Sequence, residues 1–126
     1  MKIAVFGLGH VGLVSAVMLA EAGHQVVGVD VDQEKLATIE VGGVPFVEPG
    51  LADFLAHVLD NDHLHVTTDS MAARDSELLL VCVGTPLRED GEVELLAVHQ
   101  ALSEIGQVLR QSESYGVIVL RSTVPP

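Results

Sequence analysis

The sequence predicts an α/β fold, a Rossmann-type doubly wound parallel sheet of about five strands with helices on both faces. Three observations predict it. Apolar runs of strand length alternate with helix-permissive segments along the chain. The apolar material is aliphatic: 48% of the 126 residues are hydrophobic, but only 3% are aromatic and none is tryptophan. That is the composition of strands covered on both faces. Finally, a glycine-rich turn joins the first strand-like run to the first helix-like one.

The elements follow in order. Lys2 to Phe6 is a short apolar run ending at a glycine, hence a strand. Residues 11–22 are helix-permissive, with Gly23 placed to cap the end. Gln25 to Val29 is a second strand, ending at Asp30. Residues 32–40 read as a helix with Asp32 as its N-cap. Residues 41–49, broken by Gly42, Gly43, Pro45 and Pro49, form a loop. Residues 50–60 are amphipathic, with Leu51, Phe54, Leu55 and Val58 on one face. His65 to Thr67 is a weak third strand, and residues 69–75 a short helix or turn. Leu78 to Val83 is a buried fourth strand containing Cys82, stopped by Gly84-Thr85-Pro86. Residues 87–92 are a polar turn. Residues 93–110 form the longest helix, with Leu95, Val98, Leu102, Ile105 and Leu109 in register. Tyr115 to Leu120 is a fifth strand. Parallel strands joined through helices imply right-handed crossovers.

Composition limits the function. With 18 acidic against 6 basic residues, the formal net charge is −12. Such a surface repels nucleic acid and anionic membranes, so neither is expected as a partner. The single cysteine permits no disulfide framework, which fits a cytoplasmic location. The apolar N-terminus is interrupted by Gly7, Gly9, His10, Gly12 and Glu21, too early for a membrane helix of roughly 18 residues. The length suits one domain. His63 and His65 alternate as on a strand, but no third metal ligand accompanies them, so no metal site is expected.

The chemistry centres on Gly7-Leu8-Gly9-His10-Val11-Gly12. Alone, a GxGxxG pattern is weak evidence. Here it follows a strand, opens a helix, and precedes by 18 positions the acidic Asp30 that ends the next strand. In that setting each residue has a task. Gly7 allows the tight turn, Gly9 lets a pyrophosphate approach the backbone, and Gly12 lets the helix pack against the sheet. His10 and Val11 offer backbone N–H groups at the positive end of the helix. Asp30 is placed to hydrogen-bond the adenosine ribose. It would repel a 2′-phosphate about 4 Å away by roughly 1 kcal/mol in water, or about 4 kcal/mol at an effective dielectric near 20. No arginine stands beside it, so NAD is expected rather than NADP. The blander reading of Asp30 is a solvated strand end.

Other residues are less specific on their own. Lys35 reads first as a solvated helix residue. Thr85 follows the fourth strand and Thr123 the fifth, where open α/β sheets place ligand contacts. Cys82 reads as core rather than nucleophile.

The segments MKIAVFGLGHVGL, VVGVDVDQEKLATIEVGGVPFVEPGL, VCVGTP and IVLRSTVPP together resemble the N-terminal domain of the UDP-glucose/GDP-mannose dehydrogenases. The resemblance spans essentially the whole chain, so residues 1–126 are expected to be an NAD-binding domain. It implies a two-step, NAD-dependent oxidation of carbon 6 of a nucleotide sugar to the carboxylate, through a thiohemiacetal on a cysteine. It also implies that His10 and Val11 contact the pyrophosphate, that Asp30 and Lys35 bind the adenosine ribose, that Thr85 lines the cofactor groove, and that Thr123 lies near the nicotinamide and helps place a water. His10 departs from the tyrosine usual at its position. The family's nucleophilic cysteine does not match Cys82. The chain is therefore expected to be a fragment of a longer, homo-oligomeric enzyme whose other domains bind most of the sugar nucleotide, and to bind NAD without turnover. Arg121-Ser122-Thr123 and Pro45 to Gly50 lean toward the GDP-mannose branch over the UDP-glucose branch. A regulatory nucleotide-sensing module or a methyltransferase would share the glycine turn, but neither carries the VGTP and RSTVPP segments.

Overall fold

β1 (Lys2–Phe6) lies at the centre of a five-stranded sheet in the computed structural model, which describes residues 1–123. Val124, Pro125 and Pro126, the end of the RSTVPP segment, lie outside the described residues. β2 (Gln25–Val29) and then β3 (Leu64–Thr67) extend the sheet on one side, and β4 (Leu78–Val81) and β5 (Val117–Leu120) on the other, all parallel. Phe6 is level with Val29 and Val81, so the turns leaving β1, β2 and β4 share one rim. The chain reverses its direction of travel across the sheet at β1. Open α/β sheets bind ligands outside the strand ends at such a switch point.

Alternation along β1 divides the core. Ile3 and Val5 face a cluster with Leu13 and Val17 of α1 (His10–Glu21), Leu36 and Ile39 of α2 (Gln33–Glu40), and Leu55 and Val58 of α3 (Leu51–Asp60). Ala4 and Phe6 face the opposite way, toward Ala101, Ile105 and Val108 of α4 (Leu96–Arg110) and Ala73 of the 3₁₀ turn Ser70–Ala73. Each large aliphatic side chain so buried contributes about 1.5–3 kcal/mol. The doubly wound parallel fold read from the sequence is therefore the fold observed.

Local signals set most boundaries. The Asp32 carboxylate accepts the Lys35 N–H and opens α2. Gly23 sits just past α1 at φ +102° and donates its N–H to Ala20, a left-handed stop that suits glycine. At the opposite end of the sheet from the shared rim, Asp75 ties two turns together. Its carboxylate accepts the N–H groups of Glu113 (2.7 Å) and Ser114 (3.3 Å), and these bonds hold its carboxyl below the ordinary aspartate range.

Four readings need correction. The longest helix starts at Leu96, not residue 93, because Leu87 and Val93 form an antiparallel bridge and the Glu94 N–H is held by the Pro86 carbonyl. Phe54 and Leu102, assigned to the buried faces of their helices, are 43% and 37% exposed. β5 begins at Val117, so Tyr115 lies in the preceding turn, 86% exposed. Cys82 lies one residue past β4 rather than within a buried strand. Its N–H still bonds the Phe6 carbonyl (2.7 Å), but Gly7 then turns the partner strand away and the ladder ends.

Candidate functional site

At the shared rim, Gly7 leaves β1 at φ +95°, a conformation that favours glycine. A Cβ there would lie 2.7 Å from the Val83 nitrogen. Gly12 is constrained differently. Its Cβ would fall 1.7 Å from the Gly7 carbonyl oxygen, so only glycine lets α1 seat against the turn. For Gly9, in contrast, none of the described residues has an atom within 4 Å of the place its Cβ would take. Protein packing does not require a glycine at position 9; the open space above it does not come from a neighbouring side chain.

The Leu13 N–H makes the first bond of α1, to the Gly9 carbonyl (2.9 Å). The N–H groups of His10, Val11 and Gly12 therefore precede the helical ladder. The first turn carries no acidic residue, so the positive end of the helix is left for an anion.

Asp30 is fastened to this turn. One carboxylate oxygen accepts the Leu8 N–H (2.8 Å) and the Lys35 ammonium (3.2 Å), and the other accepts the Asp32 N–H (2.9 Å). The residue is 9% exposed. Burial pushes its carboxyl upward, but the Leu8 and Asp32 amides and the Lys35 ammonium together outweigh burial and hold it below the ordinary aspartate value. A carboxylate has about four lone-pair sites. Three donors are bonded, which leaves capacity for an incoming hydroxyl on the singly bonded oxygen. No arginine stands beside Asp30, but the Lys35 ammonium does, which adds an ion pair to the two residues that the resemblance assigned to the ribose.

The imidazole of His10 is engaged too, beyond the backbone role read from sequence. It stacks on Phe46 with ring centroids 4.6 Å apart, and its Nε2 lies 2.8 Å from a Glu48 carboxylate oxygen. These contacts fasten the loop before α3 to the glycine turn.

The rim of β4 and β5 is joined by Ser122, whose hydroxyl donates to the Val83 carbonyl (2.7 Å), while the Arg121 N–H bonds the Val81 carbonyl (2.8 Å). This brings Thr123 to the loop carrying Thr85. Gly7, Gly9, His10, Val11, Asp30, Lys35, Thr85 and Thr123 then line one cleft of about 1040 Å³, at the top of the range of about 300–1,000 Å³ usual for ligand sites. Gly12 lies beneath it. Cys82 also lines the cleft, half-buried, with its thiol pushed upward by burial. The sequence reading missed Thr68, after β3, and one face of α4, where Ala97, Gln100, Ala101 and Glu104 border the cleft. Their i, i+3, i+4, i+7 spacing was visible, but the run of larger apolar residues on the same helix drew the assignment.

Comparison with known proteins agrees with this geometry. The sequence profile of the UDP-glucose/GDP-mannose dehydrogenase family, NAD binding domain, matches residues 1–126. GDP-mannose 6-dehydrogenase of Pseudomonas syringae pv. syringae is 44% identical over 127 residues, covering 100% of this chain and 29% of the relative. UDP-glucose 6-dehydrogenase TuaD of Bacillus subtilis (strain 168) is 42% identical over 125 residues, covering 98% of this chain and 26% of the relative. In a crystal structure of a ternary complex of GDP-mannose dehydrogenase from Pseudomonas aeruginosa, 41% identical, 29% of that chain superposes on 100% of this one with a TM-score of 0.96. The chain thus spans under a third of the length of these relatives.

Proposed function

This chain belongs to the UDP-glucose/GDP-mannose dehydrogenase family as its NAD-binding domain, and from that premise we propose that it holds the electron acceptor for oxidation of a nucleotide sugar at carbon 6. The observation that carries the reading is the pairing of an open Gly9 with a fastened Asp30 on one rim. The N–H groups of His10 and Val11 bind the pyrophosphate, and Gly9 leaves room for it. Asp30 takes a ribose hydroxyl on its free lone pair, held in place by Lys35 and the Leu8 amide. Thr85 and Thr123 line the nicotinamide side, and Thr123 orients a water. Bound NAD supplies hydride acceptance.

The substrate we assign is GDP-mannose. Its support is Arg121-Ser122-Thr123, the Pro45 to Gly50 segment and the identity to GDP-mannose 6-dehydrogenases. We place the whole protein in the cytoplasm as a homo-oligomer. No helix among the described residues is long and apolar enough to cross a membrane. Nucleotide-sugar oxidation also needs a thiolate, which Cys82, held protonated by burial, does not provide.

The test follows NADH absorbance. The whole protein should reduce NAD with GDP-mannose and not with UDP-glucose, whereas residues 1–126 should bind NAD and reduce none with either. Reduction with UDP-glucose alone would overturn the substrate assignment. Turnover by residues 1–126 would overturn the reading of Cys82.

A further inference from the structure

We propose that Glu104 is an adenine-recognition residue, accepting the exocyclic amino group of the cofactor's base. This rests on the NAD reading above and extends it to a part of the cleft that the reading leaves unassigned.

Ala97, Gln100, Ala101 and Glu104 lie along one side of α4, three and four positions apart, and so on one face. All four border the cleft. Ala101 packs in one cluster with Phe6 and Val29, so this face stands beside the end of β2 where Asp30 begins. Thr68 borders the same region from the end of β3, since the Asp30 N–H bonds the Thr67 carbonyl (3.2 Å). With the ribose on Asp30 and the pyrophosphate on the glycine turn, the base attached to that ribose falls between α4 and the ends of β2 and β3.

The lining suits a planar ring with a donor edge. Ala97 and Ala101 have no bulk beyond Cβ and leave a flat apolar wall. Glu104 is half-buried, and among the described residues its carboxylate has no ion-pair or hydrogen-bond partner. A carboxylate only accepts hydrogen bonds. Adenine presents an N–H donor at carbon 6. Hypoxanthine presents a carbonyl there, which would set acceptor against acceptor. A site built to bond a donor rejects an analogue that lacks it, because a charged group is left unpaired.

The experiment is calorimetric titration with NAD, nicotinamide hypoxanthine dinucleotide and etheno-NAD, whose amino group is blocked. The parent protein should bind NAD about tenfold or more tightly than either analogue. Glu104→Ala should bring the three within about twofold by weakening NAD. Glu104→Gln, whose amide can donate, should bind the hypoxanthine analogue more tightly than the parent does; a merely structural residue would not produce that gain. Asp30→Asn should weaken all three alike. Equal binding of the three by the parent, or an unchanged preference in Glu104→Ala with no gain in Glu104→Gln, would overturn the proposal while leaving the NAD reading intact. Failure of the parent to bind any of them would overturn both.

Discussion

Gly12→Ala is expected to destabilise the domain strongly, and Gly9→Ala to leave it stable but with a much weaker hold on NAD. Both glycines belong to one turn, but they are constrained by different things. A methyl at Gly12 would meet the Gly7 carbonyl oxygen at 1.7 Å and the Cys82 Cβ at 3.2 Å. The first obstacle is backbone at the mouth of the central strand and cannot rotate aside. Overpacking by one methyl commonly costs about 1–3 kcal/mol where side chains can shift. Here α1 itself must move off the sheet, taking Leu13 and Val17 with it. Against a total stability of about 5–15 kcal/mol, the expected loss is at least about 3 kcal/mol, a fall in melting temperature of roughly 10 °C or more. Gly9 is extended at φ −71° with open space around it. Alanine fits there, at the cost of about 1 kcal/mol or less for a poorer N-cap. Its methyl would stand where the pyrophosphate must approach. Losing one or two charge-assisted bonds of about 1.5–3 kcal/mol each should weaken NAD about a hundredfold. Thermal melts and calorimetry on both variants check this. A stable Gly12→Ala, or a Gly9→Ala with parental affinity, would contradict it.

The second large effect is expected at Asp30→Asn. The amide keeps one acceptor oxygen but directs an NH₂ group at a donor that the carboxylate now satisfies. It also removes the charge that pairs with Lys35. NAD affinity should fall about tenfold or more, the scale of one charge-assisted bond. NADP should gain, because the repulsion of about 4 kcal/mol at an effective dielectric near 20 disappears and Lys35 is freed to face a 2′-phosphate. The preference for NAD over NADP should drop about a hundredfold or reverse. Stability should respond to pH as well. The folded carboxyl lies below its unfolded value. Its contribution is therefore present at neutral pH and is lost as the pH falls below about 4 and through the folded value. Asp30→Asn should show less acid sensitivity between about pH 5 and 2, measured by melting temperature against pH.

The fold was legible because each level of the sequence agreed. The aliphatic strands, the Asp32 cap and the Gly23 stop all pointed to the same order of elements, and the structure keeps it. The errors fall where a tertiary contact overrides a local pattern. Glu94 and Val93 belong to a turn because Pro86 and Leu87 return to bond them, which periodicity does not register. Cys82 looks like strand because the apolar run continues after the partner strand has turned away. At the site, the glycine turn and Asp30 were readable because backbone geometry limits the residues those positions tolerate. Lys35 read as an ordinary solvated helix residue from its pattern and stood out only through the family resemblance, because its contact with Asp30 at 3.2 Å is made by folding. The His10 ring was hidden as well, since its partners Phe46 and Glu48 lie in a loop with no periodicity to read. The face of α4 beside the cleft was masked by the stronger apolar pattern on the same helix.

The central claim is that one cleft at the rim of β1, β2 and β4 holds NAD. Titrating the isotopically labelled protein with NAD and following backbone amide resonances tests it most directly. The account predicts saturable shifts at Gly7 to Gly12, Asp30, Gly84, Thr85 and Thr123, with little change at Asp75 or His57 on distant surfaces. Shifts concentrated away from that rim, or none at millimolar NAD, would contradict it.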